Sequence, residues 1–452
     1  MMRNLFVYCL LIAALISATD LLWANDNVPS GPQKHDLLIK GATIHPVNGK
    51  PIPNGQMLVS KGKILMVVGK NVKMELAAKT QVIDLSGQHL YPGMIAANTV
   101  LGLSEISAVR ATLDMAEPGK INPSARAQVS INPDSEHIPV TRANGVLASL
   151  SIPRIGSGGL IAGQSALIRH DGWTWEEMTL ASPVGMHLFW PNLRTYSKWN
   201  TPADEKKIEE LRKAYAKNVR ALKEAFDDAR AYAKAIEDSK SKGKADLRWE
   251  AMLPVLNGDL PVFIHANTLA QIQSALHFTN TEGIKHPVIV GGLDAWRLTD
   301  ELKKQNASVI LSQVNSLPLR RWEAYDTPYV AATKLHEAGV PFCIANIGNS
   351  FEAANERNLP YQAARAVAHG LPHDVALKAV TLFPAQILGV SDQLGSLEVG
   401  KEATFFASDG DPLEVMTQVE HAWVLGREID LSSKHTRLNQ KYQEKYRQKD
   451  AR

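Results

Sequence analysis

The side chain best placed to do chemistry is His265, which ends the apolar run Val262-Phe263-Ile264-His265. An imidazole at the end of a buried strand can serve as a general base or as one ligand of a metal ion. Glu105 closes the stretch Leu101-Gly102-Leu103-Ser104-Glu105, just after another apolar strand. Paired with His265, it would make an acid/base couple that needs no metal. Asn98 and Asn346 offer polar groups at strand ends, and Arg142 and Arg126 offer guanidinium groups able to bind a substrate carboxylate. Each has a plainer role open to it: a hydrogen-bonded histidine, solvated loop carboxylates, arginines that tie a loop down. His137, His170 and His187 read as loop histidines, most simply on the surface, and otherwise able to rebuild a site. One imidazole does not hold zinc, because protein zinc sites use three or four side-chain ligands. Gly156-Ser157-Gly158-Gly159 has neither glycine spacing of the nucleotide-binding loops and reads as a loop over the site. A G-x-S-x-G elbow is absent, which argues against a serine hydrolase.

These residues need strands and helices to position them. Residues 36–91 read as a β meander, with Leu37-Leu38-Ile39, Thr43-Ile44, Met57-Leu58-Val59 and Ile64 to Val68 as short strands punctuated by Asn-Gly turns. From Pro92 the texture changes to apolar strands alternating with helices, the pattern of βα units. Tyr91 to Gly102 is a Pro-Gly turn followed by a strand. Strand side chains alternate faces, so Ala96, Asn98 and Val100 are expected on one side and Ile95, Ala97 and Thr99 on the other. Asn144 to Leu150, Pro261 to His265, Pro287 to Gly292, Ser308 to Leu311 and Val340 to Ile344 are further strands. Residues 203–240 carry Leu211, Tyr215, Val219, Leu222 and Phe226 at helical spacing, which predicts one long amphipathic helix with a solvated charged face.

The segment P-G-M-I-A-A-N-T-V-L-G resembles the first strand of the amidohydrolase superfamily, whose pattern is P-G-x-I-D-x-H-x-H-x-G. Later stretches resemble the same family in order: N-L-P-Y-Q-A-A-R-A-V-A-H-G-L, A-L-K-A-V-T-L-F-P-A-Q-I-L-G and G-S-L-E-V-G-K-E-A-T. The resemblance covers residues 36 to 445 and looks closest to the imidazolonepropionase-like branch. It implies an α/β fold, a distorted (β/α)8 TIM barrel plus a small β-sandwich built from both chain ends. The implied divisions are a signal peptide at 1–24, the N-terminal part of the sandwich at 25–91, the barrel at 92–385, and the rest of the sandwich with a tail at 386–452. It also implies hydrolysis of a non-peptide C–N bond, in an amide or cyclic amide, by water activated on zinc or another divalent metal. The family's ligands are two His from the first strand, one each from the fifth and sixth, and an Asp from the eighth. Here Asn98 and Val100 stand at the first two positions and Gly291 at the sixth-strand position, while Phe342 to Ser350 holds no carboxylate. His265 alone matches. Four of five ligands are therefore replaced, and any metal would be weakly held, through His265, or absent. The expectation is a hydrolase with a degenerate metal site, using His265 and Glu105 as catalytic groups and Asn98, Arg142 and Asn346 toward substrate. The alternative is a non-catalytic pseudoenzyme that binds a small ligand or a protein partner at the barrel mouth.

Composition bounds the remaining roles. The chain has 452 residues, 45% hydrophobic and 21% charged, as in ordinary globular proteins. Arg3, the apolar stretch Leu5 to Ile16 and Leu22-Trp23-Ala24 read as a secretory signal peptide, so a periplasmic or secreted location is expected. Cleavage after Ala24 removes Arg3 and Asp20 and leaves the net charge at +3, too small to point to nucleic acid. It also removes Cys9, leaving Cys343 without an intrachain disulfide partner. The expected partner is a small molecule, with no membrane span in the mature chain; nothing in the sequence speaks to oligomeric state.

Overall fold

Apolar strands buried on both faces need cover on both sides, and alternating helices supply it. The computed structural model describes residues 28–193, 204–238 and 245–450. The expected leader at 1–24 lies outside them. The architecture is mixed α/β. One six-stranded sheet runs in the order Ile161–Gln164, Met186–Phe189, Val262–Ala266, Val288–Gly291, Ser308–Ser312, Phe342–Ala345. From Met186–Phe189 onward every neighbouring pair is parallel, and only Ile161–Gln164 is antiparallel to its neighbour. Helices Leu269–Glu282, Thr299–Lys304, Thr327–Glu337 and Leu359–Val367 follow the last four strands in turn. A second sheet, Thr179–Ala181, Ala166–Arg169, Val146–Ser151, Met94–Thr99, ends in a parallel pair. Asn98 Nδ2 donates to the Asn346 carbonyl at 2.8 Å and joins the two sheets side by side.

The meander strands of the N-terminal stretch form where expected, within a residue or so at each end. They make a four-stranded sheet, and Thr43–Ile44 and His89–Pro92 join Phe405–Ser408, Val419–Val424 and Arg427–Glu428 in a five-stranded one. Ile39, Met57, Ile64, Leu90, Phe405 and Trp423 pack into one apolar core shared by strands from both chain ends. The long helix spans Glu205–Glu237, with Asp204 capping its N-terminus and Leu222 and Phe226 buried against the main core. No described helix is long and apolar enough to cross a membrane.

One expectation on face alternation is corrected. Val100 packs in the same apolar cluster as Ile95 and Ala97, while Ala96 belongs to the other. The strand stops at Thr99, and its pairing with Val146–Ser151 shifts register between Ala96 and Thr99. A register break of this kind turns the following side chains to the opposite face.

Arg169 links the second sheet to the C-terminal strands. Its Nε and Nη2 donate to the two carboxylate oxygens of Glu402 at 3.0 and 2.6 Å, with both side chains largely buried. Arg169→Leu would strand that carboxylate, at a cost of about 3–5 kcal/mol. Urea unfolding should show the loss as a lower midpoint with an unchanged slope; a change below about 1 kcal/mol would mean the pair is effectively solvated.

Candidate functional site

The C-terminal ends of the parallel strands open onto a cavity of about 370 Å3. Asn98, Phe189, His265, Gly291 and Ser312 reach it from five different strands, and Gly158 and Gly159 close one side, as expected of that glycine-rich loop. Arg154 is its one charged lining residue among those described, and no carboxylate lines it.

Strand register sets the aromatic wall. His187 lies beside Phe263 and Phe189 beside His265 in the parallel ladder. Side chains in register on one face of neighbouring strands touch. The His187 and Phe263 rings stack at 4.9 Å, and Phe189 lies flat on His265 at 3.9 Å with 4° between the planes. The Arg154 guanidinium sits 4.8 Å from the centroid of the Phe189 ring. His187 Nδ1 and His265 Nε2 share a hydrogen bond of 3.0 Å.

Burial, followed by the Arg154 charge, pushes His187 down to about 3. Burial, then His187 and Arg154, holds His265 well below the ordinary imidazole value. Both rings are therefore neutral near pH 7 and carry one proton each. His187 Nε2 is buried with no hydrogen-bond partner among the described residues. An orphan lone pair is tolerated better than an orphan N–H. This assigns the His187 proton to Nδ1, donating to His265, and leaves the His265 proton on Nδ1.

Asn98, beside this wall, donates through Nδ2 to Ser312 Oγ at 3.2 Å as well as to the Asn346 carbonyl, and its Oδ1 is unpartnered. Asn346 Nδ2 donates to Glu356 Oε2 at 3.1 Å. Glu356 is fully buried, and burial raises it to about 8 against the lowering effect of its bonds to Asn346 and Thr99. Near neutral pH it is mostly the protonated acid. It sits behind Asn98 and Asn346 and is not among the residues lining the cavity.

The expected metal positions do not make a donor set that fits an ion. Val100 is buried and apolar. Gly291 has φ +100°, and a Cβ there would lie 2.3 Å from Asn267 Oδ1. That backbone leaves no room for a ligating side chain. The Nε2 atom of His265 is taken by His187. Among the described residues, no group of three or more His, Cys, Asp or Glu is placed to hold a metal ion.

The other residues singled out in the sequence fall as follows. Glu105 accepts from Asn132 Nδ2 at 3.4 Å, its carbonyl pairs with His137 Nε2 at 2.7 Å, and it does not line the cavity with His265. Arg142 is buried away from the cavity, donating to the His170 carbonyl at 3.0 Å and pairing with Asp171, so it ties down structure. Arg126 is exposed and lines a separate surface cavity. Asn346 turns its side chain to Glu356. The surface reading of two histidines is corrected: His170 is fully buried between the Val146 carbonyl and Ser149 Oγ, and His187 lies within a buried strand. The sequence reasoning missed Arg154 and Glu356 and misplaced His187. For Arg154 a signal existed, a lone Arg between an apolar strand and the glycine-rich turn; for Glu356 there was none.

A parallel sheet with helical crossovers and a cavity at its strand ends defines an α/β enzyme-type fold. The amidohydrolase family model matches residues 259–429. The crystal structure of an amidohydrolase from Thermotoga maritima MSB8 superposes with a TM-score of 0.74 at 25% identity, covering 87% of this chain and 99% of that one. Amidohydrolase tasK of Hapsidospora irregularis is 24% identical over 440 residues, 89% of this chain and 44% of its own length. The imidazolonepropionase of Syntrophobacter fumaroxidans is 39% identical over 83 residues, 18% of this chain and 19% of that protein. This chain thus spans less than half the length of either of these two relatives. The family model, these relatives and the shared fold support the amidohydrolase superfamily for this chain.

The Glu356 shift makes a pH prediction. A carboxyl raised to about 8 from the ordinary 4.5 holds its proton in the folded state across that window, so its stabilising contribution is full below 4.5 and is lost as pH rises through 8. Glu356→Gln keeps a neutral hydrogen-bonding group. Its stability relative to the parent should therefore increase steadily from pH 5 to 9 in urea titrations, and a constant difference would show that Glu356 is ionised throughout.

Proposed function

We propose that this protein is an exported amidohydrolase-superfamily hydrolase acting on a non-peptide C–N bond, with a degenerate metal centre. In this reading the two central sheets are halves of a distorted (β/α)8 barrel over residues 92–385. The shared β core is a small sandwich built from 25–91 and 386–452. The leader at 1–24 directs the chain to the periplasm or outside the cell. Superfamily membership supports the reaction class, and the short match to an imidazolonepropionase supports that branch. The observation that carries the site assignment is the cavity at the strand ends, where His265 lies with Asn98 and Ser312. His265, free of the acid/base couple first expected with Glu105, would act alone, as a hydrogen-bond donor to the carbonyl of a bound small amide or cyclic amide.

A second reading, a non-catalytic descendant that binds a small ligand at this cavity, is favoured by one specific feature: among the described residues no carboxylate lines the site. General acid–base work with one imidazole held neutral is slow chemistry. A panel of amides, lactams and dipeptides, assayed with chelator and with added zinc, separates the two. The hydrolase reading expects turnover indifferent to chelator and lowered about 10²–10⁴-fold by His265→Ala. No turnover on any member of the panel would retire it in favour of the binder.

A further inference from the structure

We propose that Arg154 is a carboxylate-recognition residue and that the ligand of this cavity carries a single carboxylate group. The inference rests on the reading above only in taking the cavity as the ligand site; it holds for hydrolase and binder alike.

Arg154 lies just past the Val146–Ser151 strand, where its backbone N–H donates to the Met115 carbonyl. Its side chain makes no ion pair and no hydrogen bond among the described residues; the Phe189 ring is its partner. Other interior arginines of this chain are paired: Arg169 with Glu402, and Arg142 and Arg427 with Asp171. Burial alone accounts for its lowered pKa of about 10, with no nearby carboxylate raising it. Arg154 is half-buried, and a guanidinium partly withdrawn from water without a partner carries a cost that an anion would relieve. A fixed charge of this kind, lining a cavity, is poised for an anion from outside.

The surroundings narrow that anion to a carboxylate. The planar fork of a guanidinium matches a carboxylate with two parallel hydrogen bonds. Among the described residues Arg154 is the only charged one lining the cavity, so one negative charge is balanced and a dianion is not. The side-chain amides of Asn267 and Gln313 also line the cavity and make no hydrogen bond among the described residues, which leaves them for the uncharged polar part of the ligand.

The test uses acetate, succinate, benzoate and inorganic phosphate as probes on the full mature chain, with chloride as control at equal ionic strength and pH 7.5. Acetamide and succinamide serve as uncharged mimics. At least one carboxylate should raise Tm by about 2–5 °C, growing with the logarithm of its concentration, while its amide does not. Arg154→Met, which keeps the stem over Phe189, should fold with an unchanged or higher Tm and lose the carboxylate response. Arg154→Lys, retaining charge without the fork, should keep a reduced response. Carboxylates indistinguishable from chloride, an equal response in Arg154→Met, or phosphate stabilising more than any carboxylate would overturn the proposal. A large loss of Tm in both variants without ligand would also overturn it, since the role would then be structural. Failure of the hydrolase reading shows separately, as absent turnover with the Tm response intact.

Discussion

The hydrogen bond between His187 and His265 is the constraint on which the rest of the site depends. Two imidazoles on adjacent parallel strands, packed between Phe263 and Phe189, share one hydrogen bond, and both are neutral. Burial enforces this, because charging either ring would place a cation beside Arg154 with no counterion. The bridge in turn takes up His265 Nε2 and fixes which nitrogen faces the cavity. His265 is thereby a polar wall element with one proton to offer.

Around that bridge, the polar interior is built from neutral groups. Asn98 reaches across to Ser312 and Asn346, Asn346 reaches on to Glu356, and Glu356 keeps its proton. A buried carboxylate without a cation is unstable as the anion, and protonation is the cheaper outcome. The backbone frame superposes on that of the Thermotoga maritima amidohydrolase, with an open cavity at the C-terminal ends of its strands. Gly291 is part of that frame, since its positive φ and its contact with Asn267 leave no space for a side chain.

Much of the fold was legible in the sequence because it depends on periodicity. Val262 to His265 and Val288 to Gly291 are apolar runs of strand length bounded by turns, and the 205–237 helix announces itself through Leu222 and Phe226. His265 and Asn98 both read as residues near strand ends, and the fold brings them to one cavity from two different sheets. What failed depended on partners distant in sequence. His187 read as a loop residue because Gly185 and Pro191 bracket a very short strand. Arg142 and Arg154 look alike in sequence, and only the fold gives Asp171 to one and leaves the other without an acid. Glu356 stands among polar residues that suggest solvent, yet its segment folds back under Asn346. Val100 was misassigned to a face because a register shift cannot be read from alternation.

The measurement that bears most directly on a degenerate centre is the metal content of the purified mature protein, by elemental mass spectrometry after exhaustive dialysis. Folded protein with zinc, manganese and iron each far below one equivalent is the expected result. Near-stoichiometric metal, lost together with a change in the His265 signals on chelation, would contradict it and show that the His187–His265 bridge opens to ligate an ion.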